Sequence, residues 1–178
     1  FIHEPYSALI CDGAVRTGKT VLMTAAFLEW AMHGFSGMNF ALCGKTVRSA
    51  ERNIVEPVLA LRSVAEKYKL RYARSLSLLT AEYRGKKNSF YIFGGRDESS
   101  YMLIQGMTLA GVLLDETALM PRSFVEQAVT RTLSVDSAKL WFNCNPASPS
   151  HWFYREWICK AEERGVKRLH FLLEDNPG

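Results

Sequence analysis

Residues 9–23, LICDGAVRTGKTVLM, decide the fold. Apolar residues run into Gly13, a short polar loop follows, and Gly18-Lys19-Thr20 lead back into apolar sequence. Gly13, Gly18, Lys19 and Thr20 meet every fixed position of the pattern G-x-x-x-x-G-K-[ST], with Ala14, Val15, Arg16 and Thr17 between the glycines. Each residue type has a reason to stand there. Glycines let backbone N–H groups turn inward into a nest that a phosphate enters without meeting a Cβ. A helix beginning at that point adds the positive end of its dipole. The lysine reaches the outer phosphates and the threonine hydroxyl ligates Mg²⁺. Arg16 is the unusual member. A guanidinium in such a loop has cause to contact anionic oxygens, set against the plainer reading of a solvent-facing arginine at a variable position.

Working outward, residues 8–12 read as a buried strand, and Leu22, Ala25, Ala26 and Trp30 give residues 21–33 a helical spacing. Residues 38–43 form the next strand. Residues 46–68 then read as one long helix with Ile54, Val58, Leu61 and Val64 on a stripe, kinked or restarted at Pro57. The texture changes over residues 76–93, where two β-rich arms flank Gly85-Lys86-Lys87-Asn88 and predict a β-hairpin insertion. Strands at 111–115, 140–144 and 170–173 follow, separated by helices at 121–133 and about 150–163. Strands alternating with helices predict an α/β fold, a P-loop NTPase with a mostly parallel central sheet flanked by helices.

The 178 residues fit one domain, and 48% hydrophobic with 22% charged residues is ordinary for a globular core. No apolar run approaches a membrane span, so no membrane partner is expected. The net charge of +4 permits a polyanionic partner without demanding one. Cys11, Cys43, Cys144 and Cys159 show no ligand spacing and read as reduced core residues.

Residues 109–121, LAGVLLDETALMP, bear on hydrolysis. The apolar run Val112-Leu113-Leu114 ends in adjacent carboxylates. At a strand end Asp115 can hold Mg²⁺ through water, and Glu116 can orient and deprotonate the attacking water. The alternative is a helix start carrying ordinary acids. An adjacent acid pair favours ATP hydrolysis over a GTP switch. In residues 140–154, LWFNCNPASPSHWFY, Asn143 and Asn145 alternate and should face one side of the strand end. There an asparagine can sense phosphate or position water, although Asn145-Pro146 is also a turn signal. His151 reads as a packed or capping residue, and Trp30, Trp141, Trp152 and Trp157 as core.

Together DGAVRTGKT, GGRDESSYMLIQGMTLAGVLLDETALMP and WFNCNPASPSHWFY resemble the ATPase domain of the large terminase subunit of tailed bacteriophages and prophages, nearest to the defective-prophage PBSX type. The similarity spans essentially the whole chain. It implies the additional-strand, catalytic-glutamate branch of P-loop ATPases, using ATP and Mg²⁺ to drive double-stranded DNA into a procapsid. It further implies a homo-oligomeric ring on the portal protein, a terminase small subunit as partner, and the cytoplasm of a bacterial host during assembly rather than the mature virion. Residues 13–20 match the phosphate loop, Arg16 included, so Lys19 and Arg16 join Glu116 as catalytic residues. Asp115 and Glu116 match the Walker B pair, with Thr20 and Asp115 on the metal, and Asn143 and Asn145 stand at the coupling motif. Residues 43–53, CGKTVRSAERN, occupy a segment linked to DNA or to nucleotide response.

On this resemblance residues 1–178 are the single ATPase domain of a longer subunit whose C-terminal nuclease domain is absent, so DNA cutting is not expected. Arg96, Arg122 and Arg131 are candidates for an arginine supplied in trans. Lys45, Arg48, Arg52, Arg71, Arg74, Arg84, Lys86 and Lys87 are candidates for DNA phosphates, against the reading of a solvated face. Two alternatives stay open: another nucleic-acid-translocating ATPase of helicase or recombinase kind, and a ring-assembly module that binds nucleotide without turnover.

Overall fold

Strands that are apolar at successive positions must be covered on both faces, and the computed structural model, which describes residues 1–13, 18–145 and 148–172, has this arrangement. Strand β1 (Ala8–Gly13) leads to helix α1 (Lys19–Gly34), then β2 (Asn39–Gly44). Next come α2 (Val47–Ala50), a π-helical turn Glu51–Val55, α3 (Glu56–Ala60) and α4 (Arg62–Lys67). Strands β3 (Arg71–Ala73), β4 (Leu78–Tyr83) and β5 (Lys86–Gly94) follow, then β6 (Gly111–Leu114), α5 (Arg122–Thr130), β7 (Lys139–Asn143) and β8 (Lys167–Phe171).

The eight strands form one sheet in the order β3-β4-β5-β2-β6-β7-β1-β8. All pairings from β5 to β8 are parallel, and β3-β4-β5 is antiparallel. Strand β7 lies between β1 and β6, which is the additional-strand arrangement expected above. Side chains alternate between the two faces with the period of two that a pleated strand imposes. Leu9, Phe40, Leu42, Leu113 and Trp141 join a core layer under α1 and α3, whereas Ile10, Ala41, Val112, Leu114 and Phe142 join one under α5. Phe27, Trp30, Phe40, Phe90 and Trp141 form an aromatic cluster in the first layer, with centroids 4.9–6.1 Å apart.

Three local expectations change in detail. The hairpin exists, but its turn is Arg84-Gly85, both at positive φ, and Lys86, Lys87 and Asn88 already belong to β5. Because β5 also pairs in parallel with β2, the hairpin extends the central sheet instead of standing apart from it. The long helix after β2 is divided. Pro57 has no N–H to donate one turn back; the backbone widens into the π turn just before it and breaks at Leu61, ψ 86°. The helix expected over about 150–163 shrinks to two helical residues, Trp152 and Phe153, running into a single π-helical turn, Tyr154–Ile158, with turns after it. That wider turn brings both Phe153 and Trp157 against Phe142, at 5.2 and 4.7 Å. Cys11, Cys43 and Cys144 are buried, as expected, but Cys159 is exposed. Among the described residues no helix is long and apolar enough to cross a membrane.

Candidate active site at the strand tips

Register brings the chemistry together. Cys11 lies opposite Asn143, and Leu114 opposite Phe142, so β1, β6 and β7 end level. The Asp115 amide donates to Cys43 O and the Cys144 amide to Cys11 O, which continues the ladder one residue past the strands. A cleft of about 390 Å³ opens there, lined by Gly18, Lys19, Thr20, Val21, Asn53, Asp115, Glu116, Asn143, Cys144 and Asn145. A larger cleft of about 710 Å³ lies at the opposite strand ends, beside Ala8 and Lys139, and carries no acid pair.

Gly13 leaves β1 at φ 118°, a conformation in which a Cβ would run into the Phe171 carbonyl of β8, so this exit requires glycine. Gly18, at φ 73°, caps α1. Ala14, Val15, Arg16 and Thr17 lie outside the described residues. Lys19 opens the helix, is 5% exposed, and donates to Gly13 O at 3.2 Å. Burial lowers its pKa, opposed in part by the charges of Asp12 and Asp115.

Thr20, Asp115 and Asn143 form a closed hydrogen-bonded group. The Thr20 hydroxyl donates to Asp115 Oδ1 at 3.0 Å, and Asn143 Nδ2 donates to Asp115 Oδ1 at 2.6 Å and to Thr20 Oγ1 at 2.8 Å. Asn53 Nδ2 donates to Asp115 Oδ2 at 3.0 Å. Glu116 stands next in the turn at φ 55°, a left-handed conformation unusual for a residue with a Cβ. Burial raises its carboxyl pKa and the neighbouring Asp115 raises it further, while Arg52 pulls it down. The fully buried Thr117 hydroxyl shares its one hydrogen between Leu114 O at 3.1 Å and Asn143 O at 3.2 Å, tying the turn to the end of β7.

Thus Gly18, Lys19, Thr20, Asp115, Glu116, Asn143 and Asn145 share one cleft, as the sequence spacing anticipates. Asn143 is its inner wall and Asn145 is exposed at the rim. The three candidate trans arginines do not line the cleft. Arg96 is exposed, and its carbonyl accepts from Lys45. Arg122 pairs with Glu126 at 2.6 Å, and the buried Arg131 Nε has no partner among the described residues. Several candidate DNA-facing cations have local partners instead: Arg74 with Glu51 and Glu56, Lys86 with the His33 carbonyl, Arg84 over the Tyr83 ring. His151 accepts from the Phe153 amide through Nδ1, a local capping role.

Two features escape the sequence. Asn53 reaches Asp115 only because the π turn carries it there, and no local pattern announces that. On the other flank Asp12, 2% exposed, accepts from Arg168 Nε and Nη2 at 2.9 and 2.8 Å and lies 3.0 Å from His170 Nδ1. Burial alone would raise the Asp12 carboxyl, but Arg168 and His170 more than offset it and hold the pKa below the usual value.

The sequence profile described as terminase large subunit, T4likevirus-type, N-terminal, matches residues 10–177. The large terminase of a thermophilic bacteriophage superposes with a TM-score of 0.90 at 48% identity, over 97% of this chain and 42% of that one. The same bacteriophage protein in complex with ADP gives 0.90 and 46%, over 98% and 43%. In complex with ATP-γ-S it gives 0.87 and 45%, over 98% and 42%. The ATPase domain of the Thermus phage P74-26 large terminase shares the fold at a TM-score of 0.70 and 19% identity, over 94% of this chain and 76% of that one. The chain therefore spans about two fifths of the thermophilic bacteriophage protein it matches. No curated relative matches the chain.

Proposed function

The chain belongs to the terminase large subunit family, matched in its T4likevirus-type N-terminal part, and from that premise we propose that it is the ATP-hydrolysing motor domain of a DNA-packaging machine. The observation that carries the reading is a single one: Lys19 and Glu116, 97 positions apart in the chain, line the same cleft as the Thr20–Asp115 pair. Relatives that share nearly half of its residues have been captured with ADP and with ATP-γ-S.

In this reading residues 13–20 cradle the phosphates, and Lys19 moves from the Gly13 carbonyl to the outer phosphate oxygens. Arg16 reaches the same oxygens. Thr20 Oγ1 and the Asp115 carboxylate are hard oxygen donors beside the phosphate site, the donor set Mg²⁺ prefers, one carboxylate being normal when phosphates supply other ligands. When bound, the cation neutralises charge developing on the transferring phosphoryl group. Glu116, partly buried and with a raised pKa, accepts the proton of the attacking water. Asn143 and Asn145 relay the nucleotide state along the segment after β7. Double-stranded DNA, the portal protein and the small subunit are the partners the family implies, with copies of this chain ringed on the portal. DNA contact is through phosphates and indifferent to sequence.

Phosphate release and binding of a fluorescent ATP analogue test the assignment. Glu116→Gln keeps nucleotide binding and loses turnover by roughly a hundredfold or more, whereas Lys19→Ala weakens both. Unchanged turnover in Glu116→Gln removes the glutamate from its role. A protein that binds nucleotide but never releases phosphate, alone or with DNA, favours the ring-assembly module instead.

A further inference from the structure

Asn143, the last residue of β7, aims its carboxamide at the two oxygens that close the site. Its Nδ2 lies 2.8 Å from Thr20 Oγ1 and 2.6 Å from Asp115 Oδ1. The chemistry fixes which end of the amide points there. A carboxylate oxygen only accepts, so the group facing Asp115 must be the NH₂. The Thr20 hydroxyl spends its one hydrogen on the same oxygen, at 3.0 Å, and accepts from Asn143 in return. The other end of the amide fares worse: among the described residues the buried Asn143 Oδ1 has no partner, in a residue only 6% exposed. An orphaned buried acceptor is costly. The side chain is thus held by what its nitrogen gains, at the expense of its oxygen.

A hydrated divalent cation wants the same lone pairs that the NH₂ group now uses. On the reading that Thr20 and Asp115 take up Mg²⁺ with the nucleotide, the amide and the cation are rival partners of one pair of oxygens. We infer that the Asn143 carboxamide is a built-in stand-in for the metal, which bridges Thr20 to Asp115 and must surrender at least one of those bonds for metal–nucleotide to bind. A half-turn about its terminal torsion exchanges the donor end for the orphaned acceptor, the end that suits metal-bound water. The backbone position gives this exchange consequences. Asn143 O accepts from Thr117, one residue after Glu116, and Cys144 and Asn145 continue along the cleft wall. The residue whose amide answers to the cation is thus bonded through its backbone to the glutamate turn. This differs from phosphate sensing, because it answers to the cation and is already complete with a diphosphate.

The test is the Mg²⁺ dependence of ADP binding, followed with a fluorescent ADP analogue in Mg²⁺ and in EDTA. In the wild type Mg²⁺ tightens binding. Asn143→Ala removes the rival and raises that enhancement about tenfold, a factor equal to about 1.4 kcal/mol. Asn143→Leu, of similar size but with neither a donor nor a metal ligand, raises it as far and serves where the alanine variant does not fold. Mn²⁺ titration followed by electron paramagnetic resonance, without nucleotide, shows the same order of affinities. If both variants leave the Mg²⁺ enhancement of ADP binding at the wild-type value, or lower it, the stand-in role is overturned while the nucleotide site stands. If wild type and Lys19→Ala bind ADP equally, and Mg²⁺ alters neither, the site reading fails and takes this inference with it.

Discussion

Glu116 shows how much one residue can owe to its setting. Its left-handed φ of 55° costs of order 1 kcal/mol, and Thr117 holds the turn in place by bonding to the ends of both β6 and β7. The same position sets its acidity. Burial and Asp115 raise the pKa, and Arg52 lowers it. A general base works only when deprotonated, so kcat falls as pH drops through the raised value, above the ordinary glutamate range near about 4.3. Replacing Arg52 with alanine removes an opposing charge and moves that acidic limb to still higher pH. A pH–rate profile of the two proteins checks this, and a limb that stays put or moves down shows that Arg52 does not act on the base. Arg52 is carried on the π turn, where its Nε also donates to Asn53 at 3.1 Å, so a residue that reads from sequence as one more surface cation acts on Glu116 through its charge without lining the cleft.

At the scale of elements, what is legible is what local pattern encodes. The runs ending at Gly13, Asp115 and Asn143 are apolar because both faces of their strands are covered, and polarity returns where they emerge at the sheet edge. Spacing therefore places the loop, the acid pair and the asparagines at strand tips without coordinates. What stays hidden depends on pairings distant in sequence. Asn53 reaches Asp115 only after the proline-driven π turn, and β8 anchors β1 through the Asp12–Arg168–His170 cluster, whose acid and bases lie over 150 positions apart. This cluster fixes the strand that delivers Gly13, and so the start of the phosphate loop. Asp12 has a lowered pKa in the folded protein. Its contribution to stability is therefore full above the unfolded-state value near about 3.9 and is lost as pH falls through the lower folded value. Asp12→Asn is expected to cost about 2 kcal/mol at neutral pH, the scale of a hydrogen-bonded charged group. Denaturant unfolding at a series of pH values should show the gap from wild type narrowing below pH ~3.9; a gap constant with pH would mean that packing, not charge, accounts for it.

Across the whole molecule, two apolar layers grip the sheet from both sides and keep the strand tips aligned, and beyond Arg16 of the loop the proposed phosphoryl-transfer site calls for a second guanidinium. Among the described residues no arginine lines the cleft. Transition-state charge in such sites is commonly met by a guanidinium, often from a neighbouring subunit. The three candidates differ in readiness. Arg122 is engaged with Glu126 and lies over the Trp152 ring, and Arg131 has its Nε buried. Arg96 is exposed just beyond β5, an interior strand of the sheet, and unlike Arg122 it is held in no ion pair among the described residues. If it acts in trans, ATPase rate per subunit rises with protein concentration, and Arg96→Ala abolishes the rise. Mixing supplies the sharper test. Arg96→Ala keeps Glu116 but donates nothing, whereas Glu116→Gln donates Arg96 but cannot hydrolyse. Each is inactive alone, and in an equimolar mixed ring roughly a quarter of interfaces join an intact glutamate to an intact arginine, so about that fraction of wild-type activity returns. Subunits that assemble together and recover nothing would assign the missing charge to a residue other than Arg96.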